Sequence, residues 1–279
     1  MTRTLRGAVA WVTGGGSGIG AAVCRSLAAG GARVVVSDVD SQAGEAVASE
    51  VDGCFVRSDV RYPADNEAVV AVAEEAYGRL DLVHLNAGLG TGETTLDNFD
   101  PTAYRLLMDV NLDGVVHGLA AALPALRRAG GGAVVASSSL SGLTAFPGDA
   151  FYAASKAAVI GLVRALAEPM AADLITVNAI APGFTDTALV APFAKVLADG
   201  NFPLLSSDEV ADVVVRLLTG EETGQVYVIQ PGGVAVPYRF RGVPGPATGQ
   251  APPEDVRTGD AVRRRYGSPM LSSAPRRDP

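Results

Sequence analysis

Short runs of Val, Ile and Ala alternate with longer Ala/Leu-rich stretches from the start of the chain to about residue 237. The runs "AVAWVTG" (8–14), "RVVVSD" (33–38), "DLVHLNAG" (81–88), "GAVVASSS" (132–139), "ITVNAIAPG" (175–183) and "QVYVIQPGG" (225–233) are apolar almost continuously. That pattern predicts strands buried on both faces rather than half-exposed ones. Between them, helical periodicity covers 18–29, 64–77, 102–129, 151–168 and 207–219. Strand–helix alternation of this kind gives a doubly wound α/β domain, with a mostly parallel sheet and helices on both faces.

Composition narrows the picture. The chain has 279 residues, 48% hydrophobic and 19% charged, enough to bury one large core. The expected organisation is a single domain over 1–240. Residues 241–279 hold seven Pro, five Gly and seven Arg and show no apolar period, so they are expected to be a disordered tail. The 22 basic and 30 acidic residues leave a net charge of −8. Seven Arg against four acids put +3 in the tail and −11 on the rest, which argues against a nucleic-acid or anionic-membrane surface. Cys24 and Cys54 have no metal or redox spacing, and the start of the chain lacks a signal-peptide core, so a cytoplasmic location is expected. No apolar run reaches the ~18 residues of a membrane span. With two His, His84 and His117, and two distant Cys, no metal site is expected.

The stretch "VTGGGSGIG" (12–20) stands between the first strand and the first helix. Gly14, Gly18 and Gly20 permit a tight turn, a close backbone approach and close helix packing, and the helix N-terminus then offers its N–H groups to a pyrophosphate. Asp38 ends the second strand, where a carboxylate can accept hydrogen bonds from both hydroxyls of a ribose. Downstream, "FYAASKAAVIGLV" (151–163) places Tyr152 and Lys156 four residues apart on one helix face. A lysine cation beside a phenol favours phenolate, and a tyrosine so tuned can exchange a proton with a substrate oxygen. Ser139, Asn86 to Gly88, and "PGFTDT" (182–187) lie at strand ends, on the carboxyl edge where ligands bind in such sheets. Asn111 lies in "VNLDGVVHG".

Taken in order, TGxxxGxG (13–20), Asp38, NAG (86–88), Asn111, Ser-x12-Tyr-x3-Lys and PGxxxT resemble the short-chain dehydrogenase/reductase family, over roughly residues 5–235. The resemblance implies a Rossmann-like fold and roles for single residues. Tyr152 would be the catalytic acid/base, Lys156 would lower its pKa and hold the nicotinamide ribose, and Ser139 would polarise the substrate oxygen. Asn111 would bind a water linking Lys156 to solvent. Gly14, Ser17, Gly18, Ile19, Gly20, Asp38, Asp59, Val60, Asn86, Ala87, Gly88, Pro182, Gly183, Thr185 and Thr187 would contact the dinucleotide together with Tyr152 and Lys156. Asp59 and Val60 would meet the adenine, and Thr187 the carboxamide.

Several positions depart from the family pattern. Leu85 replaces the first Asn of NNAG, Thr176 the Arg of IRVN, and Pro169 a common Glu, so the catalytic helix is expected to end or kink there. Residues 188–206 are expected to form a substrate lid, with Leu189, Val190, Phe193, Val196, Leu197, Phe202 and Leu204 able to close over an apolar substrate. The alternative is that they only pack the domain.

The expected function is NAD-dependent interconversion of a secondary alcohol and a ketone, on a small apolar substrate. Two rivals are a reductase of carrier-protein-bound 3-ketoacyl chains and a non-catalytic NAD-binding sensor or scaffold. The family also suggests a homo-oligomer, dimer or tetramer, through the two long helices.

Overall fold

A computed structural model describes residues 3–90, 96–145 and 148–242, with the side chain of Asn98 excepted. Most of the 241–279 tail therefore lies outside the described residues. The chain divides into two compact units, Met1–Tyr238 and Arg239–Pro279, and the site belongs to the first.

Eight strands form one sheet: β1 (Val9–Thr13), β2 (Arg33–Asp38), β3 (Cys54–Arg57), β4 (Leu82–Leu85), β5 (Gly132–Ser137), β6 (Ile175–Pro182), β7 (Val226–Ile229) and β8 (Val236–Pro237). Their order is β3-β2-β1-β4-β5-β6-β7-β8. The first seven run parallel; β8 is antiparallel and short. The chain moves outward from β1 through β2 to β3, then crosses back to β4 and continues the other way. The reversal between β1 and β4 opens a crevice at the carboxyl ends of the strands.

The helices are α1 (Gly18–Ala29), α2 (Ser41–Glu50), α3 (Pro63–Tyr77), α4 (Pro101–Met108), α5 (Gly114–Arg128), α6 (Ala150–Ala171), α7 (Ala194–Asp199) and α8 (Ser207–Thr219). One core joins β-strand residues Val12, Val36 and Ile180 to Leu27 of α1 and Leu217 of α8. The other joins Trp11, Val83 and Val177 to Val69 of α3, Leu126 of α5 and Val163 of α6. Every residue of β1, β5 and β6 is buried, as the unbroken apolar runs require.

Three details differ from the sequence reading. The helix expected over 102–129 is interrupted by one π turn, Asp109–Asp113, with Asn111 buried inside it. Of an end or a kink at Pro169, the end does not hold: α6 runs on to Ala171, because Leu166 and Met170 still pack on the core and the proline forfeits only one hydrogen bond in the last turn. Finally, the stretch 101–128 and α6 do have the length and hydropathy of membrane-crossing helices. In this fold Leu126 and Val163 of these stretches are fully buried in the core, although only 39% and 33% of the two apolar windows is buried.

Candidate active site

The turn after β1 is built with no space to spare. Gly14 and Gly18 have φ of +61° and +48°, values that favour glycine. A Cβ on Gly20 would lie 2.0 Å from the Gly14 carbonyl oxygen, and one on Gly18 would lie 3.0 Å from Cγ2 of Thr187. That contact brings the strand-β6 motif against the start of α1. Ser17, the N-cap of α1, makes no side-chain capping bond. The first N–H groups of α1 therefore face the crevice in the manner of an anion site.

Thr13, inside the motif, accepts the backbone N–H of Asn86 (2.8 Å) and of Ala87 (3.0 Å) on its Oγ1. Asn86 donates from Nδ2 to the carbonyls of Thr13 and Gly14, both at 3.2 Å. Thus "NAG" clamps the glycine turn. Asp38 is fixed as well: Oδ2 accepts from Gly16 N at 2.9 Å and Oδ1 from Asp40 N at 3.0 Å. Its neighbour Val39 is 56% exposed. A cation does lie close in the sheet, since Arg57 of β3 is the register partner of Asp38.

Asp59 pairs with Arg61 at 2.6 Å, and the Arg61 guanidinium holds its carboxyl below the usual range. Val60 is buried, and its carbonyl accepts from Nδ2 of Asn66 (3.1 Å) and faces Nδ1 of His117 (3.2 Å).

At the far side of the crevice stand the groups with acid–base chemistry. Lys156 is buried and donates from Nζ to the carbonyl of Ser137 at 3.0 Å. Burial lowers its pKa to about 8. Its ammonium is 5.6 Å from the centroid of the Tyr152 ring. Gly88 lies between this lysine and Asn111: a Cβ there would be 3.1 Å from Nζ and 3.3 Å from Asn111 Oδ1. Asn111 is held by the N–H and carbonyl of Leu89, both at 2.8 Å, and donates to Ser155 Oγ at 3.1 Å.

The Tyr152 phenol is pushed up from its ordinary value, first by burial; hydrogen bonding with Ser139 opposes this and the Asp149 carboxylate adds to it. Lys156, 5.6 Å from the ring centroid, does not bring the phenol below its ordinary value. Ser139 also accepts the N–H of Ser141 on Oγ at 3.2 Å.

Thr185 is buried, with its hydroxyl on the Gly183 carbonyl at 3.2 Å, and Gly183 N donates to the Ile229 carbonyl at 2.9 Å. Pro182 closes β6 just before them. The segment that follows leaves and returns at one point. Leu205 N donates to Phe184 O and Asp186 N to Leu205 O. Between these ends, a 3-10 turn (Ala188–Phe193) and α7 contain no buried residue. Phe184 meets Phe202 edge-on at 5.8 Å and Phe193 at 6.2 Å. Val190, Phe193 and Leu197 are half-buried and the other residues of these two turns are exposed, so neither turn adds a residue to the core.

Sequence reasoning overlooked three contributors. Thr13 clamps the NAG loop through its hydroxyl, and the carbonyl of Ser137 holds Lys156. Asp149 carries a helix-start signal, an acid three residues before Tyr152.

A fold of this order, with its glycine cradle and a Ser–Tyr–Lys set at one sheet edge, defines a dinucleotide-dependent oxidoreductase architecture. The family model for short chain dehydrogenase matches residues 8–196, and the chain belongs to that family. It is 33% identical to cyclohexanol dehydrogenase of Acinetobacter sp. over 240 residues, covering 82% of this chain and 96% of the relative. It is also 33% identical to the 3-oxoacyl-[acyl-carrier-protein] reductase of Thermotoga maritima over 242 residues, covering 82% and 98%. Among solved structures, levodione reductase superposes with a TM-score of 0.76 at 31% identity, over 81% of this chain and 97% of that one.

Proposed function

We propose that this oxidoreductase interconverts a secondary alcohol and a ketone on a small apolar, preferably cyclic, molecule, and that it uses NAD. The observation that carries the reading is the convergence of Ser139, Tyr152 and Lys156 beside the glycine cradle, under an apolar segment. Bound NAD would supply the acceptor or donor of hydride. Gly14, Ser17, Gly18, Ile19 and Gly20 would hold its pyrophosphate, Asp38 the adenosine ribose, and Asp59 and Val60 the adenine side. Asn86, Ala87, Gly88, Pro182, Gly183, Thr185 and Thr187 would line the rest.

The chain's own residues would do the remaining work. In oxidation, Tyr152 Oη takes the proton of the alcohol; in reduction it returns one to the carbonyl oxygen. Ser139 Oγ hydrogen-bonds that same oxygen. Lys156 supplies a buried positive charge next to the phenol and binds ribose, and Asn111, buried across Gly88 from it, would bind the water that links it to solvent. Holding oxygen, proton and hydride path in line accounts for much of the rate.

The preference for NAD rests on Asp38. A fixed carboxylate suits two ribose hydroxyls and repels a 2′-phosphate. Arg57 is the one nearby charge that favours the phosphate, but it is exposed on the neighbouring strand, and neither Val39 nor the turn 14–18 adds another cation. The carrier-protein reading is supported by the Thermotoga relative. Against it stand the acidic charge balance, unsuited to an acidic carrier, and the apolar lid. A non-catalytic binder would not need the Ser–Tyr–Lys set. The same reading has the protein in the cytoplasm, as a homo-oligomer.

The test is a panel of cyclic and linear secondary alcohols and ketones with each nicotinamide cofactor, followed by absorbance. The expected kcat/KM ratio favours NAD over NADP at least about a hundredfold, ~2.7 kcal/mol. Equal use of both would remove Asp38 from the ribose. Turnover only of carrier-bound ketoacyl chains would favour the rival, and no turnover with intact NAD binding would favour the sensor.

A further inference from the structure

The geometry points to Asp149 as a positioning residue that holds Tyr152 in place and sets the pH at which its phenol exchanges a proton. The proposal rests on Tyr152 being the acid/base. Asp149 is 5% exposed and sits at the N-cap of α6. Its Oδ1 accepts the backbone N–H of Tyr152 itself at 2.9 Å, and its carbonyl accepts Ala153 N at 3.0 Å. A Cβ on Gly90 would lie 3.7 Å from Asp149 Oδ2 and 3.5 Å from Cδ1 of Leu189. Asp149 is thus placed beside the loop after β4, close to where Leu189 also reaches.

Two consequences follow from one side chain. As an N-cap, it fixes the backbone of the reactive residue, where Ser, Thr, Asp and Asn all serve. As a buried carboxylate three residues away, it disfavours a second negative charge on the phenol. Among the described residues, the charged groups near Tyr152 come from its own helix and cap: Lys156, with its ammonium 5.6 Å from the ring centroid, and Asp149, which accepts its N–H. From the turn after β5, Ser139 offers a hydroxyl but no charge. Lysine and aspartate therefore act on the phenol in opposite senses, and the aspartate keeps it protonated to higher pH.

An asparagine separates the two roles, since it retains the cap oxygen and removes the charge. In Asp149→Asn, the acid limb of the alcohol-oxidation profile and the alkaline limb of the ketone-reduction profile should both move to lower pH by about one unit. Thermal stability should stay close to wild type. Asp149→Ser, which keeps a capping oxygen on a shorter side chain, should move the limbs in the same direction and serves if the amide variant folds poorly.

A second readout does not depend on turnover. Tyrosinate absorbance is titrated in the wild type and in Asp149→Asn, each with a Tyr152→Phe counterpart subtracted, so that only the Tyr152 step remains. A downward shift of that step supports the proposal even if no substrate in the panel is turned over. If both neutral variants leave the Tyr152 step and the profile limbs in place, Asp149 is a cap and nothing more. If the step moves but the active enzyme's pH limbs do not, the assignment of Tyr152 as acid/base fails instead.

Discussion

The two halves of the sheet's carboxyl edge are built on opposite principles. On the β1–β4 side, backbone meets backbone: Gly20 abuts the Gly14 carbonyl, and Thr13 and Asn86 tie two loops together. A methyl added at Gly20 would overlap atoms already in place there. Beyond β6, residues 188–199 contain no buried side chain, and Phe202 is 47% exposed. A cofactor common to a family can be met by fixed backbone; a substrate that varies between relatives is met by side chains that the fold does not need. Tyr152 and Lys156 lie between these regimes: Lys156 is buried like the first, while Tyr152 is only partly covered.

The sharpest way to test this division is to separate chemistry from cofactor binding. Tyr152→Phe should lower kcat by about a thousandfold, since only the proton-transfer group is lost. NAD affinity, measured by titration, should stay within about twofold of wild type. Retention of more than about a tenth of kcat would show that the phenol is not the acid/base.

Gly20→Ala makes the converse break. The new methyl would sit on the Gly14 oxygen, and Asn86 Nδ2 is only 2.8 Å away. A destabilisation of about 3 kcal/mol is expected from such overpacking, with loss of NAD binding. A variant that melts and binds like wild type would mean that the cradle is slack, and the contrast drawn above would collapse.

A third effect reaches under the cradle. His84 is fully buried in β4, with Nε2 3.1 Å from Ser137 Oγ, and burial lowers its pKa to about 3. The unfolded chain takes up the proton near pH 6.5, so stability is complete above that value and falls as pH drops toward 3. The loss attributable to His84 should be about 1.4 kcal/mol per pH unit, roughly 2 kcal/mol by pH 5. Urea unfolding of wild type and His84→Gln across pH 5 to 7 reads it. Parallel curves for the two proteins would show that the imidazole charges freely in the folded state.

The smallest effect belongs to the lid. Phe202→Ala should leave stability within about 0.5 kcal/mol, because the ring is half exposed. It should raise KM for bulky cyclic substrates by up to tenfold, about 1.4 kcal/mol, and small ones less. A large fall in melting temperature would instead assign the segment to domain packing.

Much of this was legible in one chain. Continuous apolar runs announced β1, β5 and β6 because a parallel sheet buries both faces, and the residues flanking them had to be the carboxyl edge. The motifs located the cradle because a glycine whose Cβ space is already occupied has no substitute. Other features were not legible. The short β3 and β8 carry weak apolar signals. Pro169 looked like a helix end, but packing of Met170 against the core carried α6 past it.

Sequence alone determined which groups are present: the spacing of Tyr152 and Lys156 puts them on one helix face whatever surrounds them, since helical periodicity is local. What surrounds them was decided by the tertiary structure. The direction of the Tyr152 shift depends first on how much water the fold excludes, with the Asp149 charge adding to it. Arg57 became a neighbour of Asp38 only through strand register. Desolvation and through-space charge depend on distances between segments remote in sequence, and those distances exist only once the sheet has assembled.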